Sequence, residues 1–345
     1  MAKDYHQFEQ RKRDHIDIVL GKPTQTTQYS GLDDFQLIHE ALPDLNFEDI
    51  SLSTRRFQEE TSSPFLVSSM TAGHKGSIDI NQVLMTACQE TGWIMGVGSQ
   101  RRELSDDSAA REWKGLIKKY PDVELLSNIG IAQLCQTPFD TIKRLIDSLS
   151  ARGIIVHLNA LQECIQPEGT PQFKGGLQAL SQLVKESPVP VIVKETGCGF
   201  SKKTLQRLNN IGIAAVDVSG LGGTHWGRVE GYRAQENSML ATAAQTYARW
   251  GITTLNSILN AKSINPNFEI WGSGGVRNGL DAAKMLTLGA TTVGLAKPLL
   301  TAALTGTDAV VHTMKTLEHE LKIALFCTGS KNIAILQENH HGFNI

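Results

Sequence analysis

Eight short apolar runs, the regular spacing between them, and the polar or glycine residues that close nearly every run together predict an α/β protein, a (β/α)8 TIM barrel with an N-terminal extension. The runs begin at Phe65 (FLVSSM), Ile94 (IMGVGSQR), Glu124 (ELLSNIG), Gly153 (GIIVHLN), Val189 (VPVIVKE), Ala214 (AAVDVSG), Glu269 (EIWGSGG) and Thr291 (TTVGLAKP). Several are rich in β-branched residues and all are too short for helices, so they read as buried parallel strands. Their starts lie 29, 30, 29, 36, 25, 55 and 22 residues apart, and most gaps hold one helix and two short loops. In such a barrel the carboxyl ends of the strands form the active-site mouth.

The 345 residues read as a single domain, with an extension over residues 1–60 and a barrel over 61–330. The extension carries the basic cluster Arg11-Lys12-Arg13, then a short helix and a turn-rich stretch. ISLSTRRF, from Ile50, predicts a hairpin strand that closes the barrel bottom. The segment from Phe139 sets Ile142, Leu145, Ile146 and Leu149 on one helical face and stops at Gly153. The segment from Asn278 does the same with Leu280, Ala283, Met285 and Leu288. Pro64, Pro188 and Pro190 precede or start strands, where a missing ladder donor is tolerated. The 55-residue gap after the sixth run contains an insertion around residues 222–237, read as a lid loop.

A formal charge of −2 and a pI near 6.6 give no whole-chain attraction to nucleic acid or an anionic membrane. The five cysteines (Cys88, Cys135, Cys164, Cys198, Cys327) form no CxxC pair, and an odd count fits reduced thiols in the cytoplasm. The polar N-terminus lacks an apolar secretion segment, and no run approaches the roughly 18 apolar residues that span a bilayer. A soluble cytoplasmic protein with a small-molecule partner is expected.

The seventh run passes into Gly272-Ser273-Gly274-Gly275-Val276-Arg277-Asn278 just before a helix, and the eighth ends in Gly294-Leu295-Ala296-Lys297. Loops after strands seven and eight are the usual phosphate cradle of this fold, where glycines admit close backbone N–H groups and a helix N-terminus adds partial positive charge. Lys297 and Arg277 offer full charges. A lone glycine there would only let the chain turn; the cluster points to a phosphate-bearing ligand. Lys194 closes the fifth run, in a setting where a buried cation needs a purpose. It could form a Schiff base, pair with Glu195, or set a cation beside an anionic cofactor. Thr71, Ser99, Asn128 and Ser219 stand at other strand ends, a donor and acceptor set that suits a flat flavin ring.

HLNALQE, from His157, brings Asn159, Gln162 and Glu163 toward the same mouth. Glu163 is a single carboxylate, which can hold Mg²⁺ jointly with substrate phosphate oxygens or cap the next helix. Arg11, Lys12, Ser99, Gln100 and Arg101 supply cations and donors suited to a diphosphate. His15, His74 and His225 are further acid–base candidates, and Cys198 lies between two glycines. No GxSxG elbow or Ser/His/Asp set is present, which argues against hydrolysis by an activated nucleophile.

These motifs together resemble the type 2 isopentenyl-diphosphate isomerases, FMN-dependent (β/α)8 enzymes. The resemblance runs from QRKRDHI at Gln10 through SSMTAG, GSQRR, SNIG, HLNALQE, VKETGCGFS, DVSGLGGTHW and GSGGVRNGLDAAKMLTLGA to GLAKPLL. It implies FMN held by Met70, Thr71, Ala72, Ser99, Asn128, Lys194, Ser219 and Thr224, with its phosphate over Gly274, Gly275, Ala296 and Lys297. It implies a substrate diphosphate met by Arg11, Lys12, Ser99, Gln100, Arg101 and His157, with Asn159 and Gln162 also binding substrate, Gln162 near the reacting carbons, and Glu163 holding Mg²⁺. Gln162, Lys194 and His157 become the candidate catalytic residues, and Trp226 falls in the lid. NADPH would prime the flavin, and a homotetramer or octamer is implied. Three positions depart from the family pattern: Ala72 for a second Gly, Gly272 for Ala, and Lys297 for Arg. The last keeps charge but loses the bidentate fork, so weaker FMN retention is expected. The competing readings are an FMN-dependent 2-hydroxyacid oxidoreductase, which shares GSGG but needs a catalytic His and Arg, and a flavin sensor without turnover.

Overall fold

A computed structural model of the chain describes residues 2–25, 30–70, 77–338 and 342–344. All eight expected strands form: β1 (Phe65–Val67), β2 (Ile94–Gly96), β3 (Leu125–Gly130), β4 (Gly153–Leu158), β5 (Val191–Glu195), β6 (Ala215–Asp217), β7 (Glu269–Ser273) and β8 (Thr292–Leu295). They pair in parallel in chain order, and β8 closes the barrel on β1 with Val293 opposite Phe65. Period-two alternation divides the core. Leu66, Ile94, Leu126, Ile155, Ile192, Ala215 and Trp271 fill the barrel interior, while Phe65, Val67, Met95, Leu125 and Ile154 pack against the surrounding helices.

The end opposite the mouth is closed by the hairpin Thr54–Arg56 and Glu59–Thr61, as ISLSTRRF predicts. Phe57 at its turn packs at a tilt against Trp271 with ring centroids 5.4 Å apart, and its N–H donates to Glu269. Buried Arg56 donates to Thr292 Oγ1 and to the Ser63 carbonyl. The predicted helices from Phe139 and Asn278 appear as Phe139–Ser148 and Gly279–Thr287, the second capped by the Asn278 side chain.

Two expectations are corrected. The N-terminal extension opens with one long helix, Ala2–Gly21, so the basic cluster lies inside a helix and not ahead of a short one. Among its described side chains the buried ones form a stripe, Arg11, His15 and Val19, spaced four residues apart. Because that stripe is mostly polar, hydropathy periodicity does not reveal it. The insertion after β6 is helical as well. It contains Trp226–Arg233, and Met239–Thr246 follows it, the two helices capped by the side chains of His225 and Ser238. Among the described residues no helix is long and apolar enough to cross a membrane.

Candidate active site

A cleft of about 240 Å³ opens at the carboxyl ends of the strands. Its wall takes in Arg11, Lys12, Met70, Ser99, Arg101, Asn128, His157, Asn159, Gln162, Glu163, Lys194, Ser219, Thr224, Gly274, Gly275, Ala296 and Lys297. The residues expected from eight strand ends and the N-terminal helix thus share one cavity. Thr71, Ala72 and His74 lie outside the described residues. Gln100 departs from expectation. Its side chain is 1% exposed and turns away from the cleft toward Ser127, Leu145 and Glu103.

One end of the cleft is built from backbone. Gly274 and Gly275 both adopt left-handed φ (98° and 92°), and a Cβ on Gly275 would stand 2.6 Å from the Gly222 carbonyl carbon. Thr254 Oγ1 donates to the Gly274 carbonyl at 2.7 Å. Arg277 lines the cleft as expected, and its guanidinium also clamps the carbonyls of Gly275 and Gly222 at 2.8 and 3.0 Å. Lys297 is a second cation on this wall. The Ser68 and Ser69 hydroxyls at the end of β1 are buried without a hydrogen-bond partner among the described residues, and both residues line the cleft. Orphaned donors beside a glycine cradle fit an oxygen-rich, phosphate-bearing ligand. Gly275→Ala is expected to introduce about 1–3 kcal/mol of backbone strain into the cradle. FMN affinity of the apoprotein, read by quenching of flavin fluorescence, should fall accordingly; unchanged affinity would place the phosphate elsewhere.

Lys194 is buried at the end of β5, and of the three sequence readings the pairing one names the wrong partner. Its Nζ lies 2.7 Å from Asp217 Oδ2 and donates to Ser273 Oγ at 3.1 Å, while Ser273 donates in turn to Asp217. Glu195 instead turns into its own loop and accepts N–H bonds from Thr196, Gly197, Cys198 and Gly199. Burial raises that carboxyl to about 7 against these four donors. Asp217 was missed in the sequence, although an acid inside the apolar run AAVDVSG was a usable signal.

The other end of the cleft is cationic. Burial and the neighbouring Arg11 and Arg101 push the Lys12 ammonium down to about 7, against the pull of Glu230. His157 Nδ1 lies 2.8 Å from Asn128 Oδ1, and burial beside Lys12 and Lys194 lowers its pKa to about 3, so the ring is neutral. Glu163 is buried; its Oε1 accepts from Asn159 at 2.9 Å and its Oε2 from the Thr170 N–H at 2.7 Å. No group of three or more His, Cys, Asp or Glu able to hold a metal occurs among the described residues, so Glu163 offers one carboxylate only.

A fully buried carboxylate, Glu230, ties this end together and had no sequence signal. It accepts from His15 Nε2 (2.9 Å), Gln162 Nε2 (2.8 Å) and Arg233 (2.6 Å). Gln166, in the orientation that satisfies both ends, donates to Glu230 at 3.0 Å and accepts from Arg11 at 3.2 Å. Burial alone would raise the Glu230 carboxyl, but the His15 and Gln162 bonds and the Arg233 cation hold it well below the usual range. Burial keeps His15 neutral, so it donates as an imidazole and Arg233 answers the charge. Trp226 packs edge-on against His15 at 5.1 Å. His225 is buried away from the cleft, with Nε2 3.1 Å from the Trp250 carbonyl and Nδ1 accepting from the Arg228 N–H. It is therefore no base for a 2-hydroxyacid. Burial raises the Cys198 thiol well above its ordinary range, so it is not a nucleophile.

Barrel, strand-seven glycine cradle and buried lysine define the class: a (β/α)8 barrel of the FMN-dependent dehydrogenase type, whose family pattern matches residues 155–342. The flavin-binding domain of baker's yeast flavocytochrome b2 superposes with a TM-score of 0.65 at 17% identity, over 93% of this chain and 78% of that one. A mandelate oxidase variant gives 0.63 at 14% identity over 93% of each chain. At that identity the likeness shows the fold alone. Sequence likeness is far closer to isopentenyl-diphosphate delta-isomerases. That of Legionella pneumophila (strain Corby) is 60% identical over 98% of this chain and 99% of its own length. That of Bdellovibrio bacteriovorus is 55% identical over 98% of both, and that of Nostoc sp. 40% identical over 98% and 97%. The chain belongs to the isopentenyl-diphosphate delta-isomerase family.

Proposed function

We propose that the protein shifts the double bond of isopentenyl diphosphate to give dimethylallyl diphosphate, using reduced FMN and Mg²⁺. The carrying observation is one cleft with two separate anion-recognition ends, a glycine cradle at β7–β8 and a cationic cluster at the N-terminal helix. A 2-hydroxyacid oxidase needs only the first, and a flavin sensor has no use for the second. Reduced FMN, when bound, supplies the acid and base that an alkene without heteroatoms requires, after NADPH has primed it. The chain's residues do the rest. Arg11, Lys12 and Arg101 hold the diphosphate with the neutral His157 ring beside them on the substrate wall, and Glu163 contributes one carboxylate to Mg²⁺ whose other ligands include phosphate oxygens. Gln162, fixed by Glu230 and by the Asn159 amide 3.2 Å away, presents a set orientation to the reacting carbons. Ile16, Val19, Trp226, Leu295 and Leu300 on the cleft wall exclude water from the developing cation. Lys194 gives the cofactor a buried cation that Asp217 keeps in place.

The test is anaerobic incubation with FMN, NADPH, Mg²⁺ and isopentenyl diphosphate. Dimethylallyl diphosphate forming only with reduced flavin and without stoichiometric NADPH use supports the reading; flavin binding without product rejects it. The titration of Lys12 adds a pH signature. In the substrate-free protein Lys12 loses its proton above about 7, and it must regain it to meet the diphosphate. Substrate KM is therefore expected to rise with pH above 7 and to stay flat in Lys12→Arg, whose cation does not titrate there. A wild-type KM that is level from pH 6.5 to 9 would show that Lys12 does not meet the diphosphate.

A further inference from the structure

Gln100 stands between two residues of the cationic end, Ser99 and Arg101, yet its own side chain does not line the cleft. Strand β2 ends early, so beyond the bond from Val97 N–H to the Leu126 carbonyl it offers β3 no further ladder partner. Gln100 fills that gap. Its Oε1 accepts from the Asn128 N–H at 3.1 Å and from the Ser127 hydroxyl, and its Nε2 donates to the Leu145 carbonyl at 3.2 Å and to Glu103 Oε2 at 3.1 Å. Glu103 is anchored in turn by Ser148 Oγ at 3.1 Å.

This arrangement fixes Asn128 at both ends. Its Nδ2 donates to the Val97 carbonyl at 3.0 Å, so its Oδ1 must be the atom that faces His157 Nδ1. An amide oxygen can only accept, so the His157 proton resides on Nδ1 and the neutral ring keeps an unprotonated Nε2. That nitrogen lies over Gly130, where a Cβ would come within 2.9 Å of it. We propose that Gln100, backed by Glu103, is a positioning residue that holds Asn128 and thereby the Nδ1–H form of His157, and that it makes no contact with the diphosphate itself. The inference rests on the isomerase reading for its kinetic test, but not for its spectroscopic one.

Gln100→Met removes the amide at similar length. In FMN-saturated enzyme it is expected to raise the KM for isopentenyl diphosphate roughly tenfold, the scale of one coupling within a hydrogen-bonded network. In a His157→Ala background the same substitution should change KM less than about twofold, since the residue it acts through is gone. An equal loss in both backgrounds would show that Gln100 touches substrate, and no loss in either would remove its role; each overturns the proposal. Glu103→Gln, which keeps an acceptor for Gln100, should stay within about threefold of the parent enzyme, as a retained neutral hydrogen bond requires. A larger rise would leave Gln100 without the anchor proposed for it. Independently of the activity of any variant, nitrogen-15 NMR of histidine-labelled holoenzyme, with the His157 signal assigned by its loss in folded His157→Ala, should show a protonated Nδ1 and a bare Nε2. The opposite tautomer overturns the proposal even if the isomerase reading stands, and absent isomerase activity in wild type overturns that reading while the tautomer still reports on the relay.

Discussion

Glu230→Ala should destabilise the protein by about 3–5 kcal/mol, because it strips a buried cation cluster of its counter-charge. Arg233 would lose its 2.6 Å partner, and His15 and Gln162 would lose their shared acceptor. Glu168 remains 2.8 Å from Arg233 but is less buried and already shared with Arg11. The loss should appear in chemical denaturation, and also as release of the N-terminal helix, whose amides from residue 11 to 19 would exchange faster with solvent. Glu230→Gln keeps the shape without the charge and should lie between the two. A stability loss below about 1 kcal/mol for the alanine variant would mean that the cluster is solvated and the carboxylate dispensable.

Glu163→Gln should lower kcat/KM by on the order of a hundredfold, the cost of removing one partner of a desolvated charged contact. The substitution is near-isosteric, and one oxygen can still accept from Asn159 or from the Thr170 N–H. The cleft should therefore keep its form, and FMN affinity should be unchanged. The diagnostic is the Mg²⁺ requirement: the variant should need far more Mg²⁺ for half-maximal rate. A variant that loses rate but keeps the parent Mg²⁺ dependence would assign Glu163 to holding the Asn159 amide, with no metal role.

Legibility in the sequence followed the range of the interactions. The eight strands were readable because each is an apolar run bounded by turn residues, a local pattern that barrel closure requires. The glycine cradle was readable for the same reason, since Gly274 and Gly275 adjoin each other and the helix that follows. The N-terminal helix was not, because its buried face is Arg11, His15 and Val19, and only a partner elsewhere makes such a face worth burying. That partner, Glu230, lies 215 residues from His15. Lys194 was recognised as needing a reason, but its reason stands on the neighbouring strand at Asp217, opposite it in register, and not at the adjacent Glu195.

The sequence by itself determined the barrel, the end of it that carries the site, and nearly all of the residue types that meet there, because strand periodicity and strand-end chemistry are written within a few residues. Only the tertiary structure decided which way the side chains turn. Gln100 is held by β3 instead of the cleft, Arg277 reaches back to the carbonyls of Gly275 and Gly222, and His157 receives its proton position from Asn128. The physical reason is that a buried polar group must satisfy every donor and acceptor it carries, and those partners are supplied by strands and helices brought together only when the barrel closes.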